Sequence, residues 1–143
     1  MKPPKHYTQK VIPAITTPVA KGKTIKQAVE GLMSVYRRRF MGKSVVNRHT
    51  GITIQFSGRG RNKTVSGGGL YPSKIAAIYI IDKIMEQSWF VGFGKRKPTD
   101  TKTTIGYMNF ACYCMIDGQK RIVRTSVYME KGGKYYYSLH IPK

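Results

Sequence analysis

Two long runs of strand-forming residues, Ile105 to Ile116 and Gln119 to Met129, meet at Asp117-Gly118. An Asp-Gly pair between such runs is the strongest short-range hairpin signal a sequence carries. The chain is therefore committed to a long antiparallel strand pair. A third run, Lys134 to Ile141, follows Gly132-Gly133 and extends the pair into a meander. Ser88 to Gly94 reads as a shorter strand, and Lys95 to Thr104 as a polar, basic loop. Upstream, Ser44 to Asn47 and Ile52 to Phe56 flank a turn-rich tetrapeptide, residues 48 to 51, as a small hairpin.

Two helices are expected before the meander. Thr24 is placed to cap a helix from Ile25 to about Arg39, along which Ile25, Ala28, Val29, Leu32, Met33 and Tyr36 form an amphipathic stripe. Arg37, Arg38 and Arg39 at its end suit the negative pole of the helix dipole as well as they suit a phosphate. Pro72 opens the second helix, Ser73 to about Gln87. Ile75, Ile78, Tyr79, Ile81, Ile84 and Met85 make it apolar over most of its circumference, with Lys74, Asp82, Lys83 and Glu86 on a narrow wet side. Residues 1 to 22, with prolines at 3, 4, 13 and 18, read as an extended basic arm, and residues 23 to 143 as a single domain. Helices first and then an antiparallel meander: the expected fold class is α+β.

Strand parity assigns the faces of the last two strands. Tyr135, Tyr137, Leu139 and Ile141 are expected in the core, and Tyr136, Ser138 and His140 on the open face. On the preceding strand Val123 and Val127 point inward, while Arg124, Ser126 and Tyr128 point outward. Both assignments share one face only if the loop around Glu130 to Gly133 holds an odd number of residues. Arg124 and His140 then come together on the exposed side.

The charge balance indicates a partner. The chain has 26 Lys and Arg against 6 Asp and Glu, a formal net charge of +20 in 143 residues. Such an excess repels itself unless a polyanion neutralises it. The basic residues recur in five clusters rather than one tail, with ten tyrosines among them, as expected of a folded surface that follows phosphates. RNA, with tRNA among its candidate forms, is the expected partner. The six acids are scattered, so a two-metal nuclease is unsupported. Cys112 and Cys114 stand two apart on one strand, with no second Cys or His pair, and read as reduced core thiols rather than a zinc site. The P-loop spacing and the GxSxG nucleophile elbow are both absent. No run approaches the roughly 18 apolar residues of a membrane span, and residues 1 to 10 lack the apolar core of a signal peptide. Action in the cytoplasm is expected, with delivery as the tip of a larger secreted or phage-borne protein as one route.

The segment from Val45 to Lys63 (VVNRHTGITIQFSGRGRNK) is followed by an apolar helix, and later by the Ile116-Asp117-Gly118 hairpin and a Tyr-rich last strand. In this order of elements, over roughly residues 25 to 141, the chain resembles the barnase–EndoU–colicin–RelE-like group of metal-independent ribonucleases carried by phages and bacterial toxins. The resemblance implies two N-terminal helices packed on a four- to five-stranded antiparallel sheet, with RNA bound on the open sheet face and cleaved by transesterification to a 2′,3′-cyclic phosphate and a 5′-hydroxyl, with no cofactor. It also implies an acidic immunity or antitoxin protein as a second partner. On this sequence His140 is the candidate for proton transfer, with His49 the runner-up. Lys63, Arg59, Arg61 and Arg124 are candidates to stabilise the phosphorane, and Ser138 and Tyr136 to position the phosphate. Lys74, Arg96 and Arg121 are further candidate nucleic-acid contacts. The alternative is a non-catalytic RNA- or DNA-binding protein, phage- or ribosome-associated, whose charge and tyrosines would look much the same.

Overall fold

The computed structural model describes residues 2–9, 11–15, 22, 24–60, 71–97 and 103–142. Along them run β1 (Ile12–Ile15), α1 (Ile25–Val35), β2 (Ser44–Val46), β3 (Thr53–Gln55), α2 (Pro72–Ile78), α3 (Ile81–Gln87), β4 (Trp89–Lys95), β5 (Thr104–Ile116), β6 (Gln119–Glu130) and β7 (Gly133–His140). The Asp117-Gly118 turn forms as expected, with φ of 48° and 80°, the two positive values a type I′ turn requires. It sets Ile116 opposite Gln119, and the ladder runs unbroken back to Gly106 opposite Met129.

The expectation of a four- to five-stranded antiparallel sheet behind two N-terminal helices is overturned. Seven strands among the described residues form one mixed sheet in the order β1-β5-β6-β7-β3-β2, with β4 also paired to β5. β1 runs parallel to β5, and β3 parallel to β7. The helices are interspersed among the strands: α1 lies between β1 and β2, and α2 with α3 between β3 and β4. The arm reading hid β1. Pro13 inside it argues against a central strand, but β1 is an edge strand, where a missing N–H costs no ladder bond. Ahead of it, Gln9 bonds the Tyr113 backbone from both ends of its amide, accepting from the N–H at 2.9 Å and donating to the carbonyl at 3.1 Å.

Helix α1 starts on a capping box in which the Thr24 side chain accepts from Gln27 N and the Gln27 side chain accepts from Thr24 N. It ends in a π-helical turn, Tyr36–Phe40, that buries Tyr36 and Phe40 and leaves Arg37, Arg38 and Arg39 exposed. The single second helix is broken at Tyr79-Ile80 into α2 and α3. An unbroken helix would have had to spread its isoleucines around most of its girth. The break lets Ile75, Ile78, Ile81, Ile84 and Met85 all reach zero exposure. Together with Leu32, Tyr36 and Phe40 they cover Met108, Phe110, Cys112, Val123, Val127 and Leu139 on one face of the sheet.

Parity on β7 is inverted over its tyrosines. The β6–β7 turn is two residues, Lys131-Gly132, not an odd number, since Glu130 pairs with Gly133. The change of phase comes instead from a bulge at Tyr137, between the pairs Ser126–Ser138 and Val127–Tyr136. Tyr136 therefore points into the core, at zero exposure, its ring 5.9 Å from Phe56 and 6.5 Å from Tyr36. Tyr135 and Tyr137 face the other side with Tyr107 and Tyr128. Past the bulge, Leu139 and Ile141 are buried as expected, and Ser138 and His140 stay on the open face.

Tyr136→Ala is expected to cost about 3–5 kcal/mol in urea unfolding, the range for a buried aromatic. Tyr135→Ala is expected to cost about 1 kcal/mol; the opposite ranking would restore the simple parity reading. Gly60 also packs on this bulge. A Cβ on Gly60 would lie 2.3 Å from the Tyr136 carbonyl oxygen, whereas one on Gly58 meets nothing within 4 Å. Gly60→Ala is expected to lose about 1–3 kcal/mol, and Gly58→Ala to leave the thermal midpoint nearly unchanged, both read by thermal melts.

Candidate nucleic-acid interface

The face of β4 to β7 away from the helices carries a groove of about 310 Å³ lined by Val91, Asn109, Arg124, Ser126, Ser138 and His140 among others. The ladders build it in rows. Ala111, Arg124 and His140 lie side by side across β5, β6 and β7. The next row is Gly92, Asn109, Ser126 and Ser138, and the one after it Gly94, Tyr107, Tyr128 and Tyr135. Paired residues on neighbouring strands have Cβ atoms about 5 Å apart, so the Arg124 guanidinium and the His140 imidazole rise from adjacent positions. Both are exposed, while Asn109, Ser126 and Ser138 are half-buried at the floor. β4 contributes little bulk on this side because Gly92 and Gly94 have no side chains, which is what leaves the groove open.

The tyrosine row holds two more cations. Arg59 lies over the Tyr128 ring at 4.4 Å and the Tyr137 ring at 5.2 Å. Its guanidinium donates to Thr104 Oγ1 at 3.2 Å and stands 3.6 Å from a Glu130 oxygen. Lys97 Nζ lies 5.5 Å from the Tyr107 ring centre and 5.9 Å from that of Tyr137. The open face thus passes from a cation–imidazole row, through an amide–hydroxyl row, to tyrosines topped by Arg59 and Lys97.

Of the sequence-predicted site residues, the groove unites His140, Arg124 and Ser138. Tyr136 is removed from the site by the bulge and is buried on the opposite face. Lys74 is 4 % exposed within α2, not on a wet side, because the broken helix turns it inward. His49 is occupied structurally: its Nδ1 accepts the Phe90 N–H at 2.9 Å, and its ring sits 4.9 Å from that of Tyr7. Arg121 lies in the β6 phase opposite to Arg124 and donates to the Pro142 carbonyl at 3.2 Å. Arg96 is exposed just beyond β4. Arg61 and Lys63 lie outside the described residues.

The sequence reading missed Asn109 and Lys97. A signal for Asn109 was present: counting back from the Asp117-Gly118 turn puts it opposite Ser126, already assigned to the open face. Nothing in the sequence could have brought Lys97 over the rings, because it lies beyond the end of β4, where strand alternation no longer assigns a face. Cys112 and Cys114 are buried on the helix side, and a hydrogen bond to Cys114 together with burial pushes the Cys112 thiol well above its ordinary pKa. That thiol is held protonated and supplies no nucleophile. No group of three or more His, Cys, Asp or Glu suited to a metal ion occurs among the described residues. Nor, among them, is any helix long and apolar enough to cross a membrane.

Among curated proteins and among solved structures, none matches this chain. The model of one domain family, large polyvalent protein-associated domain 3, matches residues 23–137. The match runs from the start of α1 through β6 to the β7 bulge, leaving Ser138 and His140 just beyond its end. With most of its length and nearly all of its sheet inside that match, the chain belongs to the large polyvalent protein-associated domain 3 family.

Proposed function

We propose that this chain is an endoribonuclease that binds single-stranded RNA across the open face and cleaves it at the Arg124–His140 row. The observation that carries the reading is the cross-strand pairing of an exposed imidazole with an exposed guanidinium above two serine hydroxyls, in a chain of net charge +20. Unpaired RNA suits an open sheet face with tyrosines because its bases can be splayed out and stacked. The reaction is transesterification. The ribose 2′-oxygen bonds to the adjacent phosphorus and the bond from phosphorus to the 5′-oxygen breaks, leaving a 2′,3′-cyclic phosphate and a 5′-hydroxyl. His140 takes the proton of the 2′-hydroxyl, and the departing 5′-oxygen takes one from solvent in the open groove. Arg124 offsets the charge that builds on the phosphorane, and Ser138 donates to a non-bridging oxygen. The likeness to barnase-type toxins noted in the sequence favours the same chemistry. A family associated with large polyvalent proteins fits a module carried on a longer chain that reaches RNA in the cytoplasm.

The test is incubation of the protein with labelled RNA in EDTA, with end groups typed on the fragments. Products ending in 2′,3′-cyclic phosphate are expected, and a single 2′-deoxy substitution at a cleavage site should abolish cutting there. His140→Ala should slow cleavage by about 10²–10⁴-fold, the usual contribution of a positioned acid or base. Arg124→Ala should slow it by about 10²–10³-fold. Intact RNA that is retarded in a salt-dependent manner would sink the catalytic reading and leave a binding protein in its place.

A further inference from the structure

The middle row of the groove is built differently from the cationic row beside it. Ser126 Oγ donates to Asn109 Oδ1 at 3.0 Å. This bond occupies the carbonyl side of the amide and fixes its plane, so the face that Asn109 offers is its pair of N–H donors. The facing strand puts no side chain over those donors at Gly92 or Gly94. A Cβ on Gly92, the partner of Asn109 in the ladder, meets nothing within 4 Å, and one on Gly94 would already crowd Asn109 Nδ2 at 3.3 Å. Rows two residues apart are separated by about 7 Å, so the amide stands roughly one nucleotide's reach from the Arg124–His140 pair. At about 310 Å³ the groove is at the small end of ligand sites and has room for about one nucleotide.

We infer that Asn109, held by Ser126, reads the base of the nucleotide whose phosphate lies at Arg124 and His140, and selects a base that presents a carbonyl oxygen. The inference rests on the RNA reading above and adds the specificity it leaves open. A fixed pair of donors meets the 4-carbonyl of uracil or the 6-carbonyl of guanine with a hydrogen bond. The corresponding position of adenine carries an amine, so donor faces donor and both lose their water partners. A polar site rejects the wrong ligand chiefly by this unpaired burial. Ser126 acts as a positioning residue: without its hydroxyl the amide can turn over and present its carbonyl to adenine instead. The stacked pair Tyr128 and Tyr135, with rings 5.1 Å apart and 18° from parallel, stands one row further on and bounds the base site.

The experiment compares equilibrium binding of two short RNAs at fixed salt, both with 2′-fluoro groups so that neither can be cleaved. One is oligoadenylate, and the other carries a single central uracil. The wild-type protein is expected to prefer the uracil oligomer by about tenfold, within the range of one well-placed base contact. Asn109→Ala and Ser126→Ala are each expected to bring the ratio close to one. So is the wild-type protein with an oligomer whose uracil lacks its 4-oxygen, a control that needs no variant to fold. Tight, salt-sensitive binding of both oligomers with equal affinity would overturn the base-reading role and leave RNA binding standing. A preference that persists in Asn109→Ala would overturn it as well. Absence of binding to either RNA would remove the RNA reading and this inference together.

Discussion

The register of the β5–β6 ladder is the constraint on which the rest of this protein depends. Asp117 and Gly118 close it with two positive φ angles, and from that turn the pairing of every residue back to Gly106 follows. Because side chains alternate with a period of two, a slip of one position would send Met108, Phe110, Cys112 and Val127 to water and Tyr107, Asn109 and Arg124 into the core. The helices then have only one face to cover. β1 and β4 share the outer edge of β5, and β7 takes the outer edge of β6. The short hairpin of β2 and β3 joins beyond β7, with β3 parallel to β7, and the helical segments that follow it pack against β2 and β7.

The bulge at Tyr137 is the second fixed point, and it joins the core to the groove. It lets Tyr136 and Leu139, an odd number of positions apart, both point inward, while Ser138 and His140 remain on the face of Arg124. The close approach of Gly60 to the Tyr136 carbonyl ties the segment after β3 to the same place. The close backbone approach for which glycine is needed here is therefore internal to the fold. Bulges often redirect a side chain beside a working site, and this one sets which of the β7 tyrosines lie on the face of Ser138 and His140.

Charge is distributed according to the same two faces. Arg124, Arg59 and Lys97 gather on the open side, where the low acid content leaves Glu130 as the carboxylate beside Arg59. Arg37, Arg38 and Arg39 are exposed at the π-helical end of α1 and are not among the residues lining that groove. Among the described residues, exposed cations thus stand both at the end of α1 and on the open face, and in the groove Arg124 is joined by His140 and two serines. Long-range attraction of a polyanion needs only the cations; orientation of one phosphate needs the groove.

Local chemistry was legible in the sequence. The Thr24 cap, the start of α1, the hairpin at residues 44 to 56, the Asp117-Gly118 turn and the positions of β4 to β7 all follow from caps, turn residues and alternation, which act over a few bonds. The pairing of Arg124 with His140 was expected through an odd-length loop before β7; it forms instead through a two-residue turn and the bulge at Tyr137. What the sequence could not determine are features whose energy is gained only between distant segments. The strand within the arm forms because β5 has an edge left over. The break at Tyr79-Ile80 forms because five apolar side chains share one core. Tyr136 is buried, and Tyr135 is not, because Phe56 and Tyr36 wait on one side of a bulge that alternation does not announce. The sequence by itself determined a basic, open-faced sheet with a cation and an imidazole on it. Tertiary packing alone decided which tyrosines face the groove, that Asn109 lies at its floor, and that His49 and Lys74 do not reach it, since only the assembled core sets where one strand's phase changes against its neighbour.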